Sequence, residues 1–364
     1  MTNTRATAIV SYVFSLRSFE VRTVVPRPAC PAVRISSGSR HGGTSPPWHR
    51  LNTYIMLAAM TLTGAAGCKD GAPATPAAPE KGVHEVWSVT HLARVPLHSP
   101  GLEKLKGIAV GPDGRFYLAH AGGVAVFDRQ WNRAADLPTE GQAVAVTVHD
   151  DGRVFVAERQ KVHVFGPDGA PLGSWGTPGK ERGQLGFLAG IAVRGGDVWL
   201  ADAGNRVIHR FDTTGDFIAD IGGRDDESGR PSILCPSPYL DCAVAADGTL
   251  YNTNPGRWQV EHTDLNGKLV GTWGRQGSEW SEFSGCCNPT NVAVLPDGRI
   301  VTGEKGIPRV KVIDAENHQL HVGGPEHFAE GAAGLDLAVG ADGAIYVVDP
   351  AAGKVLAFRI REGQ

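Results

Sequence analysis

Residues 173–215 read GSWGTPGKERGQLGFLAGIAVRGGDVWLADAGNRVIHRFDTTG, and their pattern predicts the architecture of most of the chain. Three short apolar runs, at 190–193, 198–201 and 206–211, are separated by turns rich in Gly, Asp, Asn and Thr. Runs of this type joined by turns of about two to five residues are typical of an antiparallel β-meander. A fourth run, at 173–176, ends the preceding unit. The segment therefore predicts one meander unit that follows directly on another.

Weaker copies of this unit occur along the chain, and they align on the first turn. The six aligned turns lie 38 to 52 residues apart and are Asp113-Gly114, Asp151-Gly152, Gly195-Gly196, Asp247-Gly248, Asp297-Gly298 and Asp342-Gly343. The strand before each turn ends in valine in all six copies: Val110, Val148, Val193, Val244, Val294 and Val339. A repeat of this length with about four strands per unit is the signature of a β-propeller. We predict an all-β fold, a six-bladed β-propeller with four-stranded blades.

The residue before each of these valines is alanine in every copy except Thr147. Blades converge on the axis of a propeller, so the innermost strand has room only for small side chains where its neighbours crowd it. The valine that ends each run points to the opposite face, where it can pack between adjacent sheets. Both columns therefore agree with an innermost strand.

The N-terminal part of the predicted domain explains how the ring closes. Residues 83–97 alternate in part between apolar and polar side chains, as a strand does. The sixth unit ends near Ile360 after only three strands. We expect the N-terminal strand to complete the last blade, because closure by both termini removes free sheet edges.

The repeat resembles a known family. The pattern G-x-W-G-x-x-G, then G-Q-L/F, G-I-A-V, D-G and V-x-V-A-D-x-x-N-R-V is similar to the NHL repeat of six-bladed propellers. The third unit matches nearly throughout and the second and fifth match well. The fourth departs from the pattern between Asn252 and Trp258, and the first is short after Ala121. The resemblance covers about 101–360 and implies the fold, whereas such propellers serve as binding platforms, lyases and lactonase-like enzymes.

Composition and charge exclude some classes of function. Glycine accounts for 48 of the 364 residues, which fits the many turns of a propeller. The formal net charge of −3 argues against a general polyanion-binding surface, so we expect no nucleic-acid partner.

The first 82 residues divide into three segments. Residues 1–49 are rich in Arg, Ser, Gly and Pro with Glu20 as the one acid, which indicates a disordered or spurious N-terminal extension, or alternatively an organelle presequence. Residues 50–68 resemble a signal peptide with a lipobox-like end, since an apolar run too short to span a bilayer leads to small residues and Cys68. Ala65 stands where leucine is usual, and plain secretion or a fortuitous apolar stretch are the alternatives. Residues 69–82 form a Pro/Ala-rich tether ahead of the propeller at 83–364.

This order of segments predicts where the protein is located. A signal, a lipidated cysteine and a tether together indicate an extracytoplasmic protein anchored to a membrane through its lipid, in a bacterial periplasm or at the cell surface.

Four cysteines fall in the fourth and fifth units: Cys235, Cys242, Cys286 and Cys287. Cys235 and the vicinal pair lie in equivalent loops of neighbouring blades, and Cys242 lies in an apolar core column. In an oxidising compartment this arrangement predicts a disulfide from Cys235 to Cys286 or Cys287, with the remaining cysteine free or paired with Cys242. A soft-metal or redox role of the cluster is the alternative.

A second constellation occupies the first column of the inner strands. Gly107, Ala145 and Gly190 in the first three units are followed by Asp241, Asn291 and Asp336 in the last three. Carboxylate and amide oxygens suit Ca²⁺, and the lactonases of similar architecture place Asp and Asn ligands on inner strands. The alternative is that these side chains accept hydrogen bonds from backbone N–H groups of loops. No HxH or HExxH motif is present, so the histidine-bound metal of the peptide-amidating lyase branch is disfavoured.

Two further sets of residues have predicted roles. The end of the second strand is polar in every unit and is expected to cap the following turn: His120, Glu158, Asp202, Asn254, Glu304 and Asp349. An aromatic and basic rim for a ligand is predicted from Arg257, Trp258, Trp280 and Arg309. Trp175 and Trp273 are expected to wedge between blades.

These observations favour a binding or scaffold module for a protein or a small ligand. The first alternative is a divalent-cation-dependent hydrolase or lyase of lactonase-like type, with Ca²⁺ bound by Asp241, Asn291 and Asp336. The second alternative is a thiol- or metal-based redox partner built on the cysteines.

The proposed lipid anchor gives a direct prediction. Cys68→Ser should release the protein from the membrane into the soluble fraction, because the lipid is attached to that sulfur. Fractionation of cells that express the full chain measures this. Membrane association that is unchanged in the variant would contradict lipidation at Cys68.

Overall fold

The structure is a computed structural model that describes residues 102, 104–223, 232–264, 267–315, 317 and 319–360, with the backbone alone of Trp87–His91 and 319–321. The predicted extension, signal peptide, lipidation site and tether lie outside the described residues. No helix in the described part of the chain is long and apolar enough to cross a membrane.

In the part of the chain that the structure describes, twenty-four strands form six four-stranded antiparallel sheets, the blades. The first strand of the chain, β1 (Trp87–His91), belongs to the last blade. Blade 1 comprises β2 (Gly107–Val110), β3 (Phe116–His120), β4 (Gly123–Phe127) and β5 (Arg133–Pro138). Blade 2 comprises β6 (Ala145–Val148), β7 (Val154–Ala157), β8 (Val162–Phe165) and β9 (Pro171–Trp175). Blade 3 comprises β10 (Leu188–Arg194), β11 (Asp197–Asp202), β12 (Val207–Asp212) and β13 (Phe217–Gly222).

The remaining blades follow the same order. Blade 4 comprises β14 (Cys242–Val244), β15 (Leu250–Asn254), β16 (Gln259–Thr263) and β17 (Leu269–Trp273). Blade 5 comprises β18 (Asn291–Val294), β19 (Ile300–Glu304), β20 (Arg309–Ile313) and β21 (Gln319–Gly323). Blade 6 comprises β22 (Leu337–Val339), β23 (Ile345–Asp349), β24 (Lys354–Arg359) and β1. The described loops include two single-turn 3₁₀ helices, Pro255–Arg257 and Pro325–His327.

The ring closes as the sequence predicts. Blades 1 to 5 are sequential meanders, whereas in blade 6 the N-terminal β1 pairs antiparallel with the C-terminal β24. Trp87 pairs with Arg359, and His91 pairs with Leu356. The prediction of a six-bladed propeller completed by the N-terminal strand is confirmed.

Among the described residues, six hydrophobic clusters lie between neighbouring blades, and the two inner-strand columns explain them. In blade 1, Ala109 packs with residues of blade 2, while Val110 packs in the cluster shared with blade 6. The same alternation holds in blade 3, where Ala192 faces blade 4 and Val193 faces blade 2. Side chains alternate across a strand, so the alanine column faces the next blade and the valine column faces the preceding one.

This alternation also sets the direction of the first inner-strand column. Its residues lie two positions before the alanines, so their side chains point toward the inner strand of the next blade. They lie at the end of the propeller where the entry loops, which run from the outer strand of one blade to the inner strand of the next, meet the axis. We call this end the loop face.

The polar column at the end of the second strands fastens the entry loops. Each of five side chains accepts a hydrogen bond from a loop N–H about 15 to 20 residues upstream. The donors and distances are Gly141 to Glu158, 2.6 Å; Gly186 to Asp202, 2.6 Å; Leu234 to Asn254, 2.9 Å; Ser284 to Glu304, 3.2 Å; and Ala329 to Asp349, 2.8 Å. His120 instead accepts from the N–H of Gly122 in the following turn, at 3.1 Å. The column thus holds loops as well as turns.

In blades 2 to 5 this column has a polar partner on the third strand. The pairs are Glu158–His163 at 3.0 Å, Asp202–His209 at 3.3 Å, Asn254–Glu261 at 2.6 Å and Glu304–Lys311 at 3.1 Å. His209 also lies 2.6 Å from Asp220. Although burial alone would lower the pKa of His209, the two carboxylates beside it raise it.

The pair in blade 5 is part of a buried charge cluster. Glu304 lies 2.6 Å from Arg309 as well as 3.1 Å from Lys311, and all three side chains are almost fully buried. Both cations also donate to the carbonyl of Glu282, at 2.9 Å each. Burial lowers the pKa of Lys311 to about 8, although the charge of Glu304 opposes the shift. The cluster holds the entry loop 274–290 in place.

Ring closure can be tested by truncation. Removing the chain through His91 should expose the edge of β24 and cause aggregation, because unpaired strand edges pair with other chains. Size-exclusion chromatography and thermal unfolding measure this against a truncation that ends before β1. A shortened protein with unaltered melting and solubility would contradict closure by β1.

The buried charge cluster gives a second prediction. Glu304→Gln should lower the free energy of unfolding by about 3–5 kcal/mol, because it leaves two buried cations without their carboxylate. Denaturant unfolding measures this, with exposed Arg257→Ala as a control expected within about 0.5 kcal/mol of the parent. If Glu304→Gln destabilised the protein no more than Arg257→Ala does, the cluster would not anchor the loop.

Candidate functional site

Three polar side chains meet where the inner strands of blades 4, 5 and 6 begin at the loop face. We call Asp241, Asn291 and Asp336 the polar seam. Asn291 donates from Nδ2 to Oδ1 of Asp336 at 2.9 Å. Asp241 and Asn291 are 7 % and 8 % exposed, while Asp336 retains somewhat more exposed surface. The structure therefore brings together the three residues that the sequence proposed as metal ligands.

The seam also links neighbouring blades through their backbone. Oδ2 of Asp241 accepts the N–H of Val292 at 3.0 Å, and Oδ2 of Asp336 accepts the N–H of Ile108 at 2.7 Å. These N–H groups belong to inner strands, which are sheet edges without a further strand to pair with. Asp241 and Asp336 thus accept hydrogen bonds from backbone N–H groups, as the alternative interpretation of this column expects. The donors lie on the next inner strand, whereas that interpretation placed them in a loop.

Close packing against the seam explains why Gly190, in the same column of blade 3, has no side chain. A Cβ added to Gly190 would lie 2.2 Å from Oδ1 of Asp241. Gly190 points toward blade 4 in the same way that Asp241 points toward blade 5. Because Gly190 has no side chain, it leaves room for the carboxylate of Asp241.

Burial and mutual repulsion make the seam carboxyls weak acids. Burial raises the pKa of Asp336 to about 7, against hydrogen bonds from Ile108, Leu337 and Asn291. Burial and the charge of Asp336 raise the pKa of Asp241 well above its ordinary value. At neutral pH the pair therefore holds a proton or needs a positive charge beside it.

The seam retains acceptor capacity that the protein does not use. Oδ1 of Asn291 is buried and has no hydrogen-bond partner within the described part of the chain. Each carboxylate can accept about four hydrogen bonds, so lone pairs also remain on the aspartates. No three His, Cys, Asp or Glu side chains among the described residues form a metal-binding group. The seam thus offers two carboxylates and one amide, with other positions of a bound Ca²⁺ left to water or a ligand.

Two residues at this face were not identified from the sequence. Lys305 lies with Nζ 5.7 Å from the ring centre of Tyr239, a cation–π contact between the loops of blades 4 and 5. A Cβ on Gly334, in the loop entering blade 6, would lie 2.7 Å from the same ring. Tyr239 therefore joins the loops of blades 4 and 6 beside the seam. Its signal in the sequence is its place two residues before Asp241, and that of Lys305 is its place directly after Glu304.

The predicted aromatic and basic rim is not formed as expected. Arg309 is 3 % exposed and bonds Glu304, so a ligand at the surface does not reach it, and it does not belong to the rim. Trp258 packs between blades 4 and 5 and donates from Nε1 to the carbonyl of Gly285 at 2.9 Å. Trp280 is half-buried over the guanidinium of Arg309 at 5.0 Å, and Arg257 is exposed. The rim differs from the prediction because Arg309 is buried against Glu304, where it holds the entry loop 274–290.

The other two tryptophans follow the wedge interpretation. Trp175 packs in the cluster between blades 2 and 3, with its ring 5.0 Å from that of Phe211. Trp273 packs between blades 4 and 5 and stacks on His262 at 5.3 Å.

The predicted disulfide from Cys235 to the vicinal pair is absent, and this prediction is wrong for the described structure. All four described cysteines are free. The sulfur of Cys235 lies 2.9 Å from the carbonyl of Ser237 and 3.2 Å from that of Tyr239, so its thiol donates within its own loop. Burial raises the pKa of Cys235 to about 11. Cys242 is a buried core thiol, as expected.

Cys286 and Cys287 contact each other instead. Their sulfurs lie 2.8 Å apart, with Cys286 exposed and Cys287 buried. The contact brings two thiols together at the loop face, whereas no third ligand completes a soft-metal cluster among the described residues.

The chain is similar in fold, at low identity, to solved propellers. A protein of unknown function from Bacteroides thetaiotaomicron is 15 % identical, with a TM-score of 0.56 over 75 % of this chain and 72 % of its own. A streptogramin B lyase is 14 % identical, with a TM-score of 0.52 over 76 % of this chain and 100 % of its own. Virginiamycin B lyase from Staphylococcus aureus is 14 % identical, with a TM-score of 0.50 over 73 % of this chain and 87 % of its own.

No family model and no curated protein matches the sequence. The resemblance to the NHL repeat therefore stays a prediction. At identities this low, likeness to solved structures shows the fold alone, and the fold is that of a β-propeller.

Proposed function

We propose that this propeller is a binding module that holds a divalent cation, Ca²⁺ by its ligand chemistry, at the polar seam and presents it to a ligand at the loop face. The observation that supports this most directly is the buried Oδ1 of Asn291, which has no hydrogen-bond partner among the described residues. The Nδ2 of the same side chain donates to Asp336. A buried acceptor that lacks a donor costs about 1–3 kcal/mol, which a cation would offset.

The charge of the seam supports the same proposal. The hydrogen bonds that oppose the raised pKa values of Asp241 and Asp336 come from amides. An amide is a weaker counterpart for two carboxylates than a divalent ion. Since the seam supplies only three side chains, a bound Ca²⁺ would keep several coordination positions for oxygens of a ligand.

The proposed location rests on the order of segments in the sequence. A lipid on Cys68 and the tether 69–82 would hold the module outside the cytoplasm at a membrane. Its partner would be a small molecule or protein that offers oxygen ligands, and nucleic acid is disfavoured by the net charge of −3.

A second candidate function is favoured by the pKa of Asp336. Burial raises the pKa of Asp336 to about 7 in the cation-free seam. If a cation were held by Asp241 and Asn291 without Asp336, this carboxylate would be available as a general base near neutral pH. The corresponding activity is a cation-dependent hydrolase or lyase. Turnover of a lactone or ester panel that needs Ca²⁺ and is lost in Asp336→Asn would favour this candidate over simple binding.

The cation proposal predicts a specific dependence on pH. The raised folded pKa values mean that the seam contributes stability fully below pH 4, and that this contribution falls as the pH rises through about 7. In a chelator, the free energy of unfolding should therefore fall between pH 5 and 8 by on the order of 2 kcal/mol. Ca²⁺ should restore the loss at pH 8 and have less effect at pH 5, where protons occupy the carboxyls.

Variants separate a cation site from a shared proton. Asp336→Asn should abolish the response to Ca²⁺ and reduce the pH dependence to the part that Asp241 and His209 contribute. Asp247→Asn, at an exposed turn, should retain both in full. Calorimetric titration with Ca²⁺ and Mg²⁺ gives an independent measure. A parent protein that keeps the pH dependence but shows neither heat of binding nor Ca²⁺ stabilisation at pH 8 would overturn the proposal in favour of a proton held by the pair.

A further inference from the structure

A second candidate site lies at the loop face, apart from the seam. Cys286 and Cys287 are adjacent in the chain, and their sulfurs lie 2.8 Å apart. Cys286 is exposed to solvent and Cys287 is buried behind it. A thiol that a substrate can reach, with a second thiol in contact with it, is the arrangement of an attacking and a resolving cysteine.

The backbone holds this contact in place. Cys287 has φ of 64°, in the left-handed region that non-glycine residues seldom occupy. Such a conformation costs roughly 1–3 kcal/mol and persists only where the surroundings impose it. The next residue supplies the restraint, since Asn288 is fully buried and donates to the carbonyls of Ser284 at 2.7 Å and Lys305 at 2.9 Å.

The surroundings of Cys287 determine how readily its thiol ionises. The pKa of Cys287 is raised by burial and then by its hydrogen bond to, and the charge of, Cys286, so the two thiols do not ionise together. The positive charge of Lys305 opposes this shift. Cys287 is therefore held as a thiol at the first step, and the charge of Lys305 favours its later ionisation.

The remaining described cysteines do not compete for this role. Cys235 is buried, and its thiol is engaged with two carbonyls of its own loop. Cys242 is sealed between blades 3 and 4, with its sulfur 3.9 Å from the carbonyl of Trp199. Exposure separates Cys286 from both.

We propose that Cys286 and Cys287 form a dithiol site for thiol–disulfide exchange, whose substrate is an exposed disulfide, R–S–S–R. The Cys286 thiolate attacks one sulfur of that disulfide, forms a mixed disulfide and releases R–S⁻. The Cys287 thiolate then attacks Sγ of Cys286, forms the Cys286–Cys287 bond and releases the second R–S⁻. The substrate gains two electrons and, with the protons given up by the two cysteines, becomes two thiols. The cysteine pair loses the two electrons.

Oxidised glutathione is a suitable probe, and peptide mapping locates each product in the full chain. Trypsin cleavage after Arg257, Arg275 and Arg299 places the pair in one peptide and separates it from Cys235 and Cys242. Cys30 and Cys68 fall in other peptides. The protein is first reduced, treated anaerobically under native conditions, quenched in acid and alkylated.

The parent protein should lose two hydrogens within the peptide 276–299 and retain little glutathione there. In Cys287→Ser the resolving thiol is absent, so Cys286 should retain about one glutathione per chain. Cys286→Ser should show neither product in this peptide, and Cys235→Ser should behave as the parent does. Circular dichroism and thermal unfolding check that each variant is folded.

Three results would overturn the proposal. The first is a parent pair that stays reduced at glutathione concentrations that modify Cys286 in the Cys287→Ser variant. The second is stable glutathione on the parent peptide, which would show that Cys287 does not resolve the mixed disulfide. The third is a crosslink from Cys235 to the pair, which would restore the structural disulfide expected from the sequence.

Discussion

The innermost strand of every blade is a sheet edge, and the rest of this propeller depends on how that edge is satisfied. Its outer side pairs with the second strand, while its other side faces the channel, where no strand can pair with it. In three consecutive junctions the first side chain of the inner strand bonds toward the next blade, through Asp241, Asn291 and Asp336. Where the first residue is Gly190, the space instead admits the carboxylate of the following blade. The same residues that complete the backbone bonding thus create a cluster of buried acids.

A second constraint acts further from the axis. Long entry loops have no sheet of their own, so their N–H groups need acceptors, and the ends of the second strands provide them. Blade 5 meets this need with three buried charges, Glu304, Arg309 and Lys311, which are costly to bury but hold the loop 274–290 at several points. This is the loop that contains Cys286 and Cys287. Rigid placement of two thiols at a surface therefore depends on buried charges elsewhere in the same blade.

Much of the fold could be predicted because it repeats. The valine and alanine columns reflect packing toward the preceding and the following blade, and six aligned turns gave the number of blades. The missing strand of the last unit predicted closure by β1. The seam was predicted as a set of residues, whereas the direction of its side chains and its link to Ile108 across the ring closure were not.

The contacts of single side chains were harder to predict. Alignment places Cys235 and the vicinal pair in equivalent loops, but which sulfurs meet is set by the left-handed backbone of Cys287 and by the bonds of Asn288. Arg309 was expected at an exposed rim together with Arg257, Trp258 and Trp280. Its burial depends on Glu304, five residues earlier, whose carboxylate is long enough to reach it.

Strand β1 has a further consequence for how the molecule meets its surroundings. It runs antiparallel to β24, and Trp87 pairs with Arg359, the end of β24 that lies away from the entry loops. The chain thus enters the propeller from the side opposite the seam and the cysteine pair. A pulling force applied at Trp87 would therefore act on the outermost strand of one blade.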